Sequence, residues 1–112
     1  MLDAETAAVM VVPSSGGSPR ELARVKAPAQ LQPINGHAWS HDSRYVYFFK
    51  RAESGAPHRL YRIPVEGGTE EGMGLEASEL RGLEIAPDGR KIFFVMGALN
   101  RPEIWAMDNF LP

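Results

Sequence analysis

His37 and His41 lie four residues apart. On a helix that spacing sets two imidazoles on one face, as a metal site requires. Here a strand end and a turn fall between them, and no third ligand is near in sequence. His58 belongs to a separate loop, so surface and turn roles are expected for all three. Ser14, Ser15 and Ser40 are the candidate nucleophiles, but none sits in a Gly-x-Ser-x-Gly elbow. Ser14-Ser-Gly-Gly17 has instead the composition of a hairpin tip. Gly67-Gly-Thr-Glu-Glu-Gly-Met-Gly74 is glycine-rich, yet it lacks the lysine and following helix of a phosphate loop. Its carboxylates would repel phosphate. Glu70, Glu71, Glu76 and Glu79 read as a solvated rim rather than an acid–base pair, with calcium binding the weaker alternative. Arg51, His58, Arg59 and Arg62 form the densest basic group, beside Tyr45 and Tyr47. A partner surface is one reading of them; edge charges that discourage aggregation are the preferred one. No catalytic residue, cofactor site or metal site emerges, and an enzyme is not expected.

Composition narrows the class further. The chain has 112 residues, with 44% hydrophobic and 23% charged, the balance of an ordinary soluble domain. Its net charge of −2 is spread over both signs, which leaves no basic stripe for nucleic acid. No apolar run is long enough to span a membrane as a helix. The start, Met1-Leu-Asp-Ala-Glu-Thr6, is acidic where a secretory signal begins basic. The absence of cysteine fits cytoplasm and periplasm equally.

Eleven glycines and nine prolines punctuate the chain into short elements. The apolar runs are Ala7–Val12, Tyr45–Phe49, Leu60–Val65, Gly82–Ala86, Lys91–Met96 and Glu103–Met107. They are rich in Val, Ile, Phe, Tyr and Trp, and none keeps a helical period for three turns, which predicts strands. Tyr45-Val-Tyr-Phe-Phe49 and Ile92-Phe-Phe-Val-Met96 are apolar on both faces, as a strand covered on both sides must be. Leu60-Tyr-Arg-Ile63 runs into Pro64 and is expected near a sheet margin. Ser18-Pro-Arg-Glu21 has the form of a helix capping box, but the repeat described next favours a strand there. Residues 27–36 and 76–81 read as equivalent loops, the second with room for a helical turn.

The chain repeats itself. Trp39-Ser-His-Asp-Ser-Arg-Tyr-Val-Tyr-Phe48 parallels Ile85-Ala-Pro-Asp-Gly-Arg-Lys-Ile-Phe-Phe94, 46 residues further on. Val9-Met-Val-Val-Pro-Ser-Ser-Gly-Gly17 parallels Leu60-Tyr-Arg-Ile-Pro-Val-Glu-Gly-Gly68, and Ile104-Trp-Ala-Met-Asp-Asn109 begins a third copy. If four strands make a unit, the chain supplies a third and fourth, then all four, then a first, second and third. Four antiparallel strands in a repeat of about 40–50 residues make a β-propeller blade. The expectation is an all-β fold of antiparallel four-stranded blades, about two per chain. Residues 1–112 form a single partial domain, with repeats over 37–80 and 81–112 and blade-completing strands within 7–26.

These Asp-centred turns and strand-Gly-Gly hairpins resemble the WD-like, Pro-Asp repeats of TolB-type β-propellers, over roughly Val9 to the C-terminus. Ala86-Pro-Asp-Gly-Arg90 is the cleaner match. The first copy has His41 for proline and Ser43 for glycine, which strains Ser43 if the turn needs φ > 0. Asp42 and Asp88 are expected to accept backbone N–H bonds, and Arg44 and Arg90 to meet turn carboxylates or solvent. Trp39, Tyr61 and Trp105 are expected to fill space between sheets. The resemblance implies a non-catalytic scaffold that binds proteins, peptides or small ligands. The alternative is the propeller part of a larger enzyme, such as a serine peptidase, where it would gate substrate access. The tail Trp105–Pro112 looks like a natural C-terminus, which disfavours that alternative.

A closed propeller needs at least four blades. The ring is therefore incomplete unless the chain oligomerises or belongs to a longer propeller. Self-association is the favoured expectation, because it removes exposed faces and free edges together. The segment Arg20–Val25 is expected to complete a neighbour's C-terminal blade.

Overall fold

The computed structural model describes residues 6–13, 15–32, 36–86, 90–96 and 103–108, and among these it contains strands and turns but no helix. The all-β expectation holds. In chain order the strands are β1 (Thr6–Val11), β2 (Arg20–Lys26), β3 (Gln30–Leu31), β4 (His37–Trp39) and β5 (Tyr45–Arg51). β6 (His58–Pro64), β7 (Glu71–Ala77), β8 (Leu80–Ile85), β9 (Lys91–Met96) and β10 (Glu103–Asp108) follow. They form three antiparallel sheets: β1-β2, then β3 to β7, then β8-β9-β10. In the middle sheet β3 and β4 lie end to end along one edge of β5, opposite Arg51–Lys50 and Phe48–Val46. That sheet thus has five strands in four positions, and the chain delivers its strands in groups of two, four and three positions.

The two Gly-Gly turns share a backbone hydrogen bond, and so do two places next to the Asp-centred turns. The N–H of Gly16 donates to Pro13 O at 3.0 Å, and that of Gly67 to Pro64 O at 3.0 Å. Each bond closes a turn whose two glycines take positive φ, from 95° at Gly16 to 137° at Gly68. That region carries no steric penalty for glycine alone. The N–H of Ser40 donates to Tyr45 O at 2.8 Å, and Ala86 to Lys91 O at 2.9 Å, at matching places in the two Asp-centred turns.

The middle sheet is covered on both faces. Tyr47, Phe49 and Leu60 pack against Leu80, Leu83, Ile92 and Phe94 of the third sheet. Val46, Phe48 and Ile63 pack against Leu22 of the first, with Val9, Val11 and Ala23 beside it. Consecutive residues of β5 point to opposite sides, so four buried residues in a row, Val46 to Phe49, require a layer on each side. Burial of each such side chain contributes about 1.5–3 kcal/mol.

Three local expectations change. β6 lies inside its sheet, between β5 and β7, with Pro64 as its last residue. Residues 76–81 hold no helical turn: Glu76 and Ala77 continue β7 by pairing with Arg59 and His58, and Leu80 opens β8. Residues 27–36 are not all loop, since Gln30 and Leu31 pair with β5. The capping-box segment is the strand that the repeat favoured, β2, held against β1 from Arg20 to Lys26.

Candidate functional site

The serine, carboxylate and basic candidates resolve into structural parts. Ser40 is buried at 6% exposure. Its hydroxyl donates to Asp42 Oδ1 at 2.7 Å and accepts the N–H groups of Arg44 and Tyr45 at 3.1 and 3.0 Å. Asp42 Oδ1 also accepts the Arg44 N–H at 3.0 Å, as the sequence led us to expect. The Ser40 hydroxyl and then the Arg44 amide hold the Asp42 carboxyl below its usual pKa. Ser40 is thus committed to shaping a turn. Ser43 takes φ 62° there, the left-handed conformation anticipated for it. Ser15 is exposed at a turn, while Ser14 and Asp88 lie outside the described residues.

The carboxylates are not a bare rim. Lys50 pairs with Glu70, Arg62 with Glu71 at 2.7 Å, and Arg59 with Glu76 at 2.8 Å. Register explains this, because β7 runs beside β6 with Glu76 opposite Arg59 and Glu71 opposite Arg62. The basic group dissolves in the same way. Arg51 Nε donates to Gln30 Oε1 at 2.9 Å. The Arg62 guanidinium sits 4.2 Å from the Tyr45 ring centroid, and Lys50 lies 4.5 Å from that of Tyr61. Burial works against the charge of Arg62, but the nearby Tyr47 hydroxyl and the Glu71 carboxylate outweigh it and raise its pKa. Burial raises the pKa of Tyr47.

The histidines do not converge. His37 and His41 are exposed, whereas His58 is 3% exposed at the start of β6, not on a loop. Its Nδ1 accepts the Leu80 N–H at 3.4 Å, tying the middle sheet to the third. Burial, then the nearby Arg51, lower its pKa. Among the described residues no three His, Asp or Glu side chains gather as a metal site would need.

What the molecule does offer is apolar surface. Trp39 and Trp105, expected between sheets, are 50% and 47% exposed; Tyr61 does stack on Phe48 at 5.8 Å between centroids. Met10 and Val12 on the first sheet and Ile104 on the third are 50%, 55% and 80% exposed. A cleft of about 460 Å³ opens between β1 and the β3–β5 side of the middle sheet. Val9, Leu31, Ala38, Trp39, Val46 and Phe48 line it. Its polar lining includes Gln32, whose Nε2 already donates to Leu80 O at 3.0 Å, and His37. Such a lining can take up apolar side chains. No protein-family model and no curated protein matches this chain.

Proposed function

We propose that this chain is a non-catalytic β-propeller-type scaffold, an interaction module whose unfinished blades are completed by further copies of itself. One observation carries the reading. The middle sheet is buried on both faces, while the two flanking sheets have two and three strands and present Met10, Val12 and Ile104 to solvent. A stack whose interior layer is complete and whose end layers are not is the expected form of an open segment of a ring. The matching turns at Gly16 and Gly67, and at Ser40 and Ala86, support blade-like repetition. The polar residues of the turns and ladders are occupied in local bonds, which favours binding over chemistry.

Light scattering combined with an exposed-hydrophobe dye tests the proposal. A discrete dimer or trimer with little dye binding is the expected result. A clean monomer that binds no dye would sink it.

A further inference from the structure

We infer that the outer edge of β1, and not the Arg20–Val25 segment of β2 expected from the repeat, receives strand β10 of a second copy of this chain and forms a joined five-stranded sheet; the inference rests on the self-association proposed above. Among the described residues β1 pairs with β2 along one edge only. Its six residues, Thr-Ala-Ala-Val-Met-Val, carry no charge. Charged side chains are a usual protection of an exposed strand edge. Of the other outer strands, β2 carries Arg20, Arg24 and Lys26, β7 carries Glu71 and Glu76, and β8 carries Arg81 and Glu84, while the short β3 and β4 carry no charge. Beyond the edge of β1 lies the apolar cleft, with Val46, Phe48 and Trp39 in its lining. A strand added there bonds to the β1 backbone and lays alternate side chains into the cleft.

β10 has the complementary features. Among the described residues it is the last strand of its sheet and pairs only with β9, and it has the same six-residue length as β1. Ile104 and Trp105 are exposed at that edge, at 80% and 47%. Its sequence holds two acidic residues and no basic one, while β2, behind β1, holds three basic residues and one acidic. Every ladder in this structure is antiparallel. An antiparallel β1–β10 pairing in full register sets Glu103 opposite Val11, whose partner on β2 is Arg20. Glu103 and Arg20 then lie two strands apart, about 9–10 Å at the backbone, where opposite charges attract only weakly through salt. Each copy has one β1 edge and one β10 edge, so the contact is head-to-tail and closes into a small ring when the rotation permits.

Trp105→Phe leaves Trp39, beside the cleft, as the single tryptophan of the two in the chain. Its emission is followed together with light-scattering mass across a concentration series. The expected result is a shift of Trp39 emission to shorter wavelength that tracks the rise in mass. Ile104→Asp, at a position too exposed to disturb the single chain, raises the concentration for half-assembly by about tenfold or more. Glu103→Lys raises it by a smaller factor, larger at low salt. A rise in mass with unchanged Trp39 emission and a neutral Ile104→Asp overturns this interface and leaves self-association standing. Mass that stays at one chain throughout overturns both.

Discussion

Phe48 and Phe49 are consecutive in β5, and the structure predicts that truncating either is strongly destabilising. Phe48 is 1% exposed and faces the first sheet; Phe49 is 0% exposed and faces the third. Phe-to-Ala changes at fully buried sites cost about 3–5 kcal/mol, from lost transfer energy and the cavity left behind. Phe48 also stacks on Tyr61 at 22° between ring planes, which adds about 0.5–1.5 kcal/mol and puts Phe48→Ala toward the upper end. Phe93 aligns with Tyr47 in the sequence, but it is only half-buried, since among the described residues no fourth layer covers its face. Phe93→Ala should cost roughly half as much. Urea unfolding at low protein concentration, with the m-value held constant, measures all three. A sheet with one wet face would give one large and one near-zero value for the adjacent pair. That outcome, or a Phe93→Ala cost equal to the other two, would refute the reasoning.

Ser40→Ala removes the acceptor of two N–H groups and the donor to Asp42. It should lower the urea-derived stability by about 1–3 kcal/mol. Gly82 takes φ 64°, and an added Cβ would lie 3.0 Å from Val95 Cγ2. Gly82→Ala should therefore shift the melting temperature down, by an amount equivalent to about 1–2 kcal/mol. His58 is buried neutral, with a folded pKa below its ordinary 6.5. Its contribution is complete above that value and is lost as pH falls below 6.5 toward the folded pKa, because the unfolded chain binds the proton more readily. Urea midpoints measured from pH 7.5 downward should fall over that window, and His58→Gln should flatten this part of the profile.

The sequence made strand identity and layering legible where a residue's neighbours along the chain decide its environment. Four consecutive apolar residues in β5 can be satisfied only by cover on two sides, and the structure has it. The Gly-Gly turns were equally plain, since few residues accept positive φ. Partners set by register were not legible. Glu70, Glu71 and Glu76 looked like a solvated rim because nothing local reveals that Lys50, Arg62 and Arg59 stand beside them. The bulge between Arg59 and Tyr61 adds a register shift that no spacing rule anticipates. His58 seemed a loop residue for the same reason: its burial comes from β8, distant in sequence. Trp39 and Trp105 were placed between sheets by type alone, whereas their exposure depends on whether a neighbouring layer exists.

The central claim is that the stack is built to be completed by further copies. Small-angle X-ray scattering over a concentration series tests it most directly. A lone chain has a Cα radius of gyration of 14.1 Å. The account predicts a clearly larger, concentration-dependent radius that levels off, with a distance distribution that fits a closed assembly. A radius that stays near 14.1 Å at every concentration would contradict it.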